Sequence, residues 1–218
     1  DLLDSRLKGE EERHFLDAVR SSGRALLKLI NDILDLSKIE AGKLEMEFGP
    51  VNLAGLLDDI KAVFSHRVSE KNLSLIVAPD EDLPLSLFID ETRLRQVLLN
   101  LVGNAVKFTN AGHIRVGARC HRPDPATTRV DLCLTVEDTG LGIPADQLEH
   151  IFGAFEQKKG QSHAEYGGTG LGLAISRRLV EGMGGRLSAT SQEGKGSTFQ
   201  VDISDVEVVA GITPADQA

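Results

Sequence analysis

No proline interrupts the chain before Pro50. Within that stretch Leu16, Val19, Leu26, Ile30 and Ile33 fall at steps of three and four residues, with Gly23 filling one slot. The spacing is a heptad seam, widened by Leu27, Leu29 and Leu34, and it predicts one helix from about Glu11 to Glu45. At 1.5 Å per residue such a helix is about 50 Å long. A helix with one apolar stripe is not stable alone, so this one needs partner helices. Asp1–Leu7 reads as the end of a preceding helix with Gly9 as the turn. The chain is therefore expected to begin inside a helical hairpin, with part of it lying upstream.

After Gly49-Pro50 the pattern becomes α/β. Val51–Leu53 reads as a short strand, and Leu56, Leu57, Ile60, Val63 and Phe64 recur at helical spacing. Leu73–Ala78 and Leu85–Ile89 read as strands separated by the turn at Asp80–Pro84. Asp90 or Thr92 is placed to cap a helix carrying Leu94, Val97, Leu98, Leu101 and Val102. His113–His121 and Arg129–Glu137 alternate as a hairpin around a proline-rich turn. A glycine-rich connection leads to a helix from about Gly170 to Glu181, then to strands Arg186–Thr190 and Ser197–Ile203. Val206–Ala218 has weak pattern and reads as a linker or frayed end.

Composition narrows the function. The 218 residues suggest one to two domains, and 24 Lys+Arg against 33 Asp+Glu give a net charge of −9. An acidic surface argues against nucleic acid or an anionic membrane as the main partner. No apolar run approaches a membrane span, so the expectation is a cytoplasmic chain attached to membrane only through segments outside it. Two cysteines, Cys120 and Cys133, are expected to face each other across the hairpin as a reduced, partly buried pair. His66, His113, His121 and His150 lack metal-ligand spacing and read as structural or surface residues. Thirteen of the 22 glycines lie between Gly140 and Gly196, so the excess is local.

Four segments carry chemistry. In Asn100-Leu-Val-Gly-Asn-Ala-Val-Lys107, Asn100, Asn104 and Lys107 share one helix face. A carboxamide oxygen suits Mg²⁺ and a lysine suits phosphate, although a solvated polar face has the same spacing. Val136-Glu-Asp-Thr-Gly-Leu-Gly-Ile143 ends a strand in a carboxylate and a Gly-x-Gly turn, which can take a hydrogen bond from an exocyclic amine. Gly167-Gly-Thr-Gly-Leu-Gly-Leu173 leads into a helix N-terminus, where backbone N–H groups can meet phosphate. It has neither the P-loop Gly-Lys-Ser/Thr nor the dinucleotide spacing. Gly194-Lys-Gly-Ser-Thr-Phe199 alone describes a hairpin turn.

Together, in this order, the segments resemble the ATP-binding domain of sensor histidine kinases over about Glu10 to Ile203. Asn100–Lys107 is similar to the asparagine box, Asp138–Ile143 to the first glycine box, Ile151-Phe-Gly-Ala-Phe155 to the phenylalanine box and Gly167–Leu173 to the second glycine box. Ser21-Ser-Gly through Leu36-Ser-Lys-Ile-Glu-Ala-Gly42 resembles the second helix of the dimerisation and histidine-phosphotransfer hairpin. The resemblance implies an α+β fold: a long helix of a dimeric four-helix bundle at 1–48, an α/β sandwich with one mixed sheet covered by helices at 49–205, and a tail at 206–218. It implies ATP and Mg²⁺ as cofactors, with Asn104 on the metal, Asn100 supporting it and Lys107 facing the phosphates as the catalytic residue. Asp138 would read the adenine amino group, with Gly142 and Thr198 lining the base site. Gly140, Ile143, Phe155, Tyr166, Gly168, Thr169, Gly170, Leu171, Gly172 and Leu173 complete the implied ATP contacts. Phe152–Tyr166 would be a mobile lid.

The implied reaction moves the γ-phosphoryl group to a histidine and then to an aspartate of a response-regulator receiver domain, the implied partner beside a second copy of the chain. The family's phosphoacceptor segment, His-Glu/Asp-x-x-x-Pro-Leu, is absent; His14, within Arg13-His-Phe-Leu, does not match it and reads as a surface helical residue. The chain alone is therefore expected to bind Mg·ATP without phosphorylating itself. Ala164-Glu165 stands where the family often has basic lid residues, with Lys158, Lys159 and His163 nearby. That leaves open a degenerate nucleotide-binding scaffold that docks a response regulator without phosphotransfer. ATP-hydrolysing relatives use a glutamate base where Asn100 stands, so hydrolysis is expected to be feeble.

Overall fold

The computed structural model describes residues 10–123, 127–153 and 170–209. Two units divide the chain, Asp1–Leu44 and Glu45–Ala218. The first is built on α1 (Glu10–Glu40), which ends earlier than the expected Glu45 for a local reason. Gly42, at φ 63°, donates its N–H to the Ile39 carbonyl at 3.0 Å, and Lys43 donates to Lys38 at 2.9 Å. This Schellman closure needs a left-handed residue, which glycine adopts without a Cβ penalty. Val19, Leu26, Leu27, Ile30, Ile33 and Leu34 on α1 are all exposed.

The second unit runs β1 (Gly49–Val51), α2 (Leu53–Glu70), β2 (Ser74–Pro79), β3 (Leu87–Ile89), α3 (Glu91–Phe108), β4 (His113–His121), β5 (Arg129–Asp138), a 3₁₀ turn (His150–Phe152), α4 (Gly172–Gly182), β6 (Gly185–Gln192) and β7 (Gly196–Glu207). β1 pairs with β3, and the main sheet has the order β2-β4-β5-β7-β6. Only β2 and β4 are parallel, so the sheet is mixed. Helices α2, α3 and α4 pack on it, giving the α/β sandwich that the sequence implies. Among the described residues no helix is long and apolar enough to cross a membrane.

Strand alternation decides which face is covered. Ala118, Leu134, Val201 and Leu187 form one buried row across the strands, and buried Val116, Val136 and Phe199 form the next, with half-buried Ala189 at its end. Leu53, Leu57 and Ile60 of α2 and Leu94, Leu98 and Leu101 of α3 are fully buried. Each contributes about 2 kcal/mol relative to exposure. α2 and α3 start where side-chain caps allow. Asn52 accepts the Gly55 N–H at 3.0 Å, and Asp90 accepts the Arg93 N–H at 2.9 Å. The cap of α3 is thus Asp90 rather than Thr92, and its second oxygen takes the Glu47 N–H at 2.8 Å.

Three expectations are corrected. The register sets Cys133 opposite Arg119 and Cys120 opposite Leu132, so the two free cysteines lie on opposite faces of the hairpin. Burial pushes the Cys120 thiol up to about 11 and raises that of Cys133, so both are poor nucleophiles at neutral pH. β7 continues past Ile203 to Glu207. Val206 is buried, the Val208 N–H donates to Thr128 at 2.7 Å and the Val209 N–H to Ser86 at 3.0 Å. These residues of the expected tail are therefore held to the sheet. Lastly, the strand near Val51 is Gly49–Val51, and Leu53 opens α2 instead.

Candidate functional site

The covered face of the sheet changes character at one end. After its apolar rows, the last row reads Ile114, Asp138, Ser197 and Ser191 across β4, β5, β7 and β6. Asp138 is 7% exposed, a rare depth for a carboxylate. One of its oxygens accepts the Gly140 N–H at 2.8 Å, and Ser197, its register partner on β7, lies beside it in the same row. Burial raises its pKa above the ordinary value, while the Gly140 and Ser197 hydrogen bonds oppose the rise. An ionised carboxylate has about four acceptor positions. With the Gly140 N–H on one of them, acceptor capacity remains for a ligand's N–H.

The turn after Asp138 is held on two sides. Leu141 donates its N–H to the Phe108 carbonyl at the end of α3 (3.2 Å), and Gly194 donates to the Leu141 carbonyl (2.8 Å). Ile143 donates to Ser191 Oγ at 2.7 Å. Gly142 has a φ of 64°, and a Cβ there would collide with the Gln192 carbonyl oxygen. Only glycine lets the turn close this tightly on the β6–β7 hairpin.

Asn100, Asn104 and Lys107 lie half-buried on α3. The Asn100 amide donates to Ser176 Oγ of α4 at 2.9 Å. Gly172, in the first turn of α4, packs so closely on the Asn100 carboxamide that a side chain there would displace it. Lys107 Nζ lies 4.5 Å from the centre of the Phe108 ring, a cation–π distance. Lys71, at the end of α2, fixes the helix end that carries Lys107. Its ammonium donates to the carbonyls of Val106, Lys107 and Thr109 at 2.8, 3.1 and 3.2 Å, complementing the negative end of the helix dipole. Thr109 is fully buried, and among the described residues its hydroxyl has no hydrogen-bond partner.

The N-terminus of α4 completes the arrangement. Gly170 has a φ of 70°, Leu171 is fully buried as an anchor, and Gly172 and Leu173 open the helix. Leu171 supplies no side-chain cap, and the first backbone N–H groups of a helix suit an acceptor such as phosphate.

Of the implied site residues, the fold joins Asn100 to Gly172 across α3 and α4, and Asp138, Gly140 and Gly142 to the end of α3 and the β6–β7 hairpin. Thr198 is not with them. It pairs with Glu137 and Thr190, on the sheet face opposite Asp138, because side chains alternate along β7. Ser197 occupies the place expected of Thr198. Counting back by two from buried Phe199 would have found it, and counting onward along β6 from Leu187 would have found Ser191. Phe155, Tyr166, Gly168 and Thr169 lie outside the described residues, as do Gly167, Lys158, Lys159, His163, Ala164 and Glu165; the side chain of His14 does as well.

The donor set fits a nucleotide with a magnesium ion. Asp138 offers a buried acceptor, α4 offers N–H groups and Lys107 a cation. Among the described residues no cluster of three or more His, Cys, Asp or Glu could hold a metal. Magnesium does not need one, since it is commonly held by one or two protein oxygens together with phosphates and water. Asn104 would supply such an oxygen.

Residues 89–207 match the family model described as histidine kinase-, DNA gyrase B-, and HSP90-like ATPase, and residues 1–42 match the His Kinase A (phospho-acceptor) domain. The chain is 36% identical over 217 residues to the autoinducer 2 sensor kinase/phosphatase LuxQ of Vibrio parahaemolyticus, covering 100% of this chain and 25% of that protein. It is 39% identical over 216 residues to the aerobic respiration control sensor protein ArcB of Escherichia coli, covering 98% and 27%. The chain thus spans about a quarter of the length of these curated relatives. Among solved structures, full-length ShkA in complex with AMPPNP superposes with a TM-score of 0.76 at 36% identity, over 94% of this chain and 41% of that one.

Proposed function

This chain belongs to the histidine kinase-, DNA gyrase B- and HSP90-like ATPase family, and on that premise we propose that it is the kinase core of a two-component sensor, binding Mg·ATP between α3, α4 and the Asp138 turn. The phosphoryl group goes to a histidine of the hairpin and then to an aspartate of a response-regulator receiver domain. Asp138 carries the reading: a buried acceptor at the end of the sheet, with acceptor capacity left over, suits the exocyclic amine of adenine. Binding of AMPPNP by a relative of the same fold supports it.

The residues divide the work. Asp138 accepts from the base, and the Gly140–Ile143 turn lies along it. Lys107 and the N-terminus of α4 hold the phosphates, with Gly168 and Thr169 preceding that helix. Asn104 holds Mg²⁺, which when bound neutralises phosphate charge. Phe155 and Tyr166 are proposed as further nucleotide contacts. Positioning and charge account for catalysis of this type. Asn100 donates to Ser176 and is no base, which favours transfer to a protein acceptor over hydrolysis. The hairpin of a second copy completes the dimer, since the match to the phospho-acceptor domain coincides with the exposed stripe of α1.

Incubating the chain with labelled ATP and a separately supplied hairpin bearing the histidine segment tests this. Acid-labile label on the hairpin, and none on the chain alone, is expected. Nucleotide binding with no label on any supplied hairpin would instead favour the scaffold that docks without transfer.

A further inference from the structure

Ser191 lies one side chain behind the base site and touches three parts of it. Its Oγ accepts the Ile143 N–H at 2.7 Å, lies 2.8 Å from the Gly196 carbonyl, to which it can donate, and stands 3.0 Å from Ser197 Oγ. Ser197, 7% exposed, is in turn the register partner of Asp138, on the same face of the sheet, and acts on its carboxylate to oppose the effect of burial. The three residues are register partners across β6, β7 and β5, so this order is built into the sheet.

A serine hydroxyl has one hydrogen to give. If Ser191 gives its hydrogen to Gly196, Ser197 is drawn to donate to Ser191 and turns away from Asp138. If Ser191 gives it to Ser197, the Ser197 hydrogen is left for Asp138. An ionised Asp138 accepts only, so it selects the second arrangement, a directed chain from Ser191 through Ser197 to Asp138. The chain fixes Asp138 as an acceptor, while the bond from Ile143 fixes the turn beside it.

We propose that Ser191 is a specificity-determining positioning residue: acting through Ser197 and Ile143, it makes the site select a purine bearing an exocyclic amine over one bearing a carbonyl at the same place. The inference rests on the nucleotide reading of the site and names what sets its base preference. A base with a carbonyl there meets an acceptor with an acceptor, and unpaired buried polar groups discriminate strongly.

The test compares ATP with inosine triphosphate by equilibrium binding to the wild type, Ser191→Ala, Ser191→Cys and Ser191→Thr. Wild type is expected to favour ATP by at least about tenfold. Ser191→Ala should weaken ATP about tenfold while changing inosine triphosphate little, so that the preference collapses. Ser191→Cys, which fills the same space with a weak donor, should do the same if the alanine variant does not fold. Ser191→Thr, which restores the hydroxyl, should restore the preference. Equal losses for both nucleotides, or an unchanged ratio, would overturn the proposal and leave the ATP site standing. No binding of either nucleotide by folded wild type would overturn the nucleotide reading itself, and this inference with it.

Discussion

Asp138 sits where burial opposes its charge and the fold compensates with donors. Its folded-state pKa is raised above the ordinary 3.8, first by burial, so the folded chain holds this proton more tightly than the unfolded one. Its contribution to stability is full below the unfolded value and is lost as pH rises through the folded value. In the proposed site nucleotide binding runs the other way, because protonation places a hydrogen on the carboxyl and removes acceptor capacity that the base would use. Affinity for an ATP analogue should fall on acidification at a pH where an ordinary aspartate is still ionised. Asp138→Asn should bind more weakly and lose that pH dependence, as a fluorescent-analogue titration between about pH 4 and 7 would read out. At this scale the sequence showed the carboxylate and the glycines, because each has a distinctive chemistry. It did not show Ser197 or Ser191, since a serine in a strand gains its meaning from the face it occupies, and Thr198 beside it is chemically as plausible.

Elements are set by their ends. α3 starts at Asp90, 1% exposed, which caps the helix and ties down Glu47, and it finishes under the Lys71 ammonium. Asp90→Ala removes two hydrogen bonds in a buried setting and should cost about 2 kcal/mol. Thermal unfolding should then fall by about 6 °C, while a stability unchanged within error would contradict the capping account. Helix starts were legible because caps have few residue types. The end of α1 was not, although Gly42 was in plain sight: the apolar pattern ran on through Leu44, and the left-handed turn stops the helix first. The 3₁₀ turn at His150–Phe152 left no periodic signal, because three residues are too few to show one.

On the scale of the whole chain, the order of the segments says more than any segment does. Asparagine helix, carboxylate turn, glycine-rich helix start and final hairpin are separated in sequence by tens of residues. The sheet order β2-β4-β5-β7-β6 sets β7 between β5 and β6, so the hairpin turn joins the carboxylate turn. That adjacency was open to recognition as a pattern but not to derivation from local periodicity, because register and crossover are long-range choices. The Cys120–Cys133 expectation failed for the same reason, a one-residue register difference.

The central claim is that Mg·ATP binds between α3, α4 and the Asp138 turn. Calorimetric titration of the chain with a non-hydrolysable ATP analogue, with and without Mg²⁺ and beside Asn104→Ala, tests it most directly. The account predicts a dissociation constant on the order of micromolar with Mg²⁺, weakened about tenfold or more when either Mg²⁺ or Asn104 is removed. A folded wild-type chain that takes up no analogue at millimolar concentration, on the order of the weakest specific binding, would contradict it.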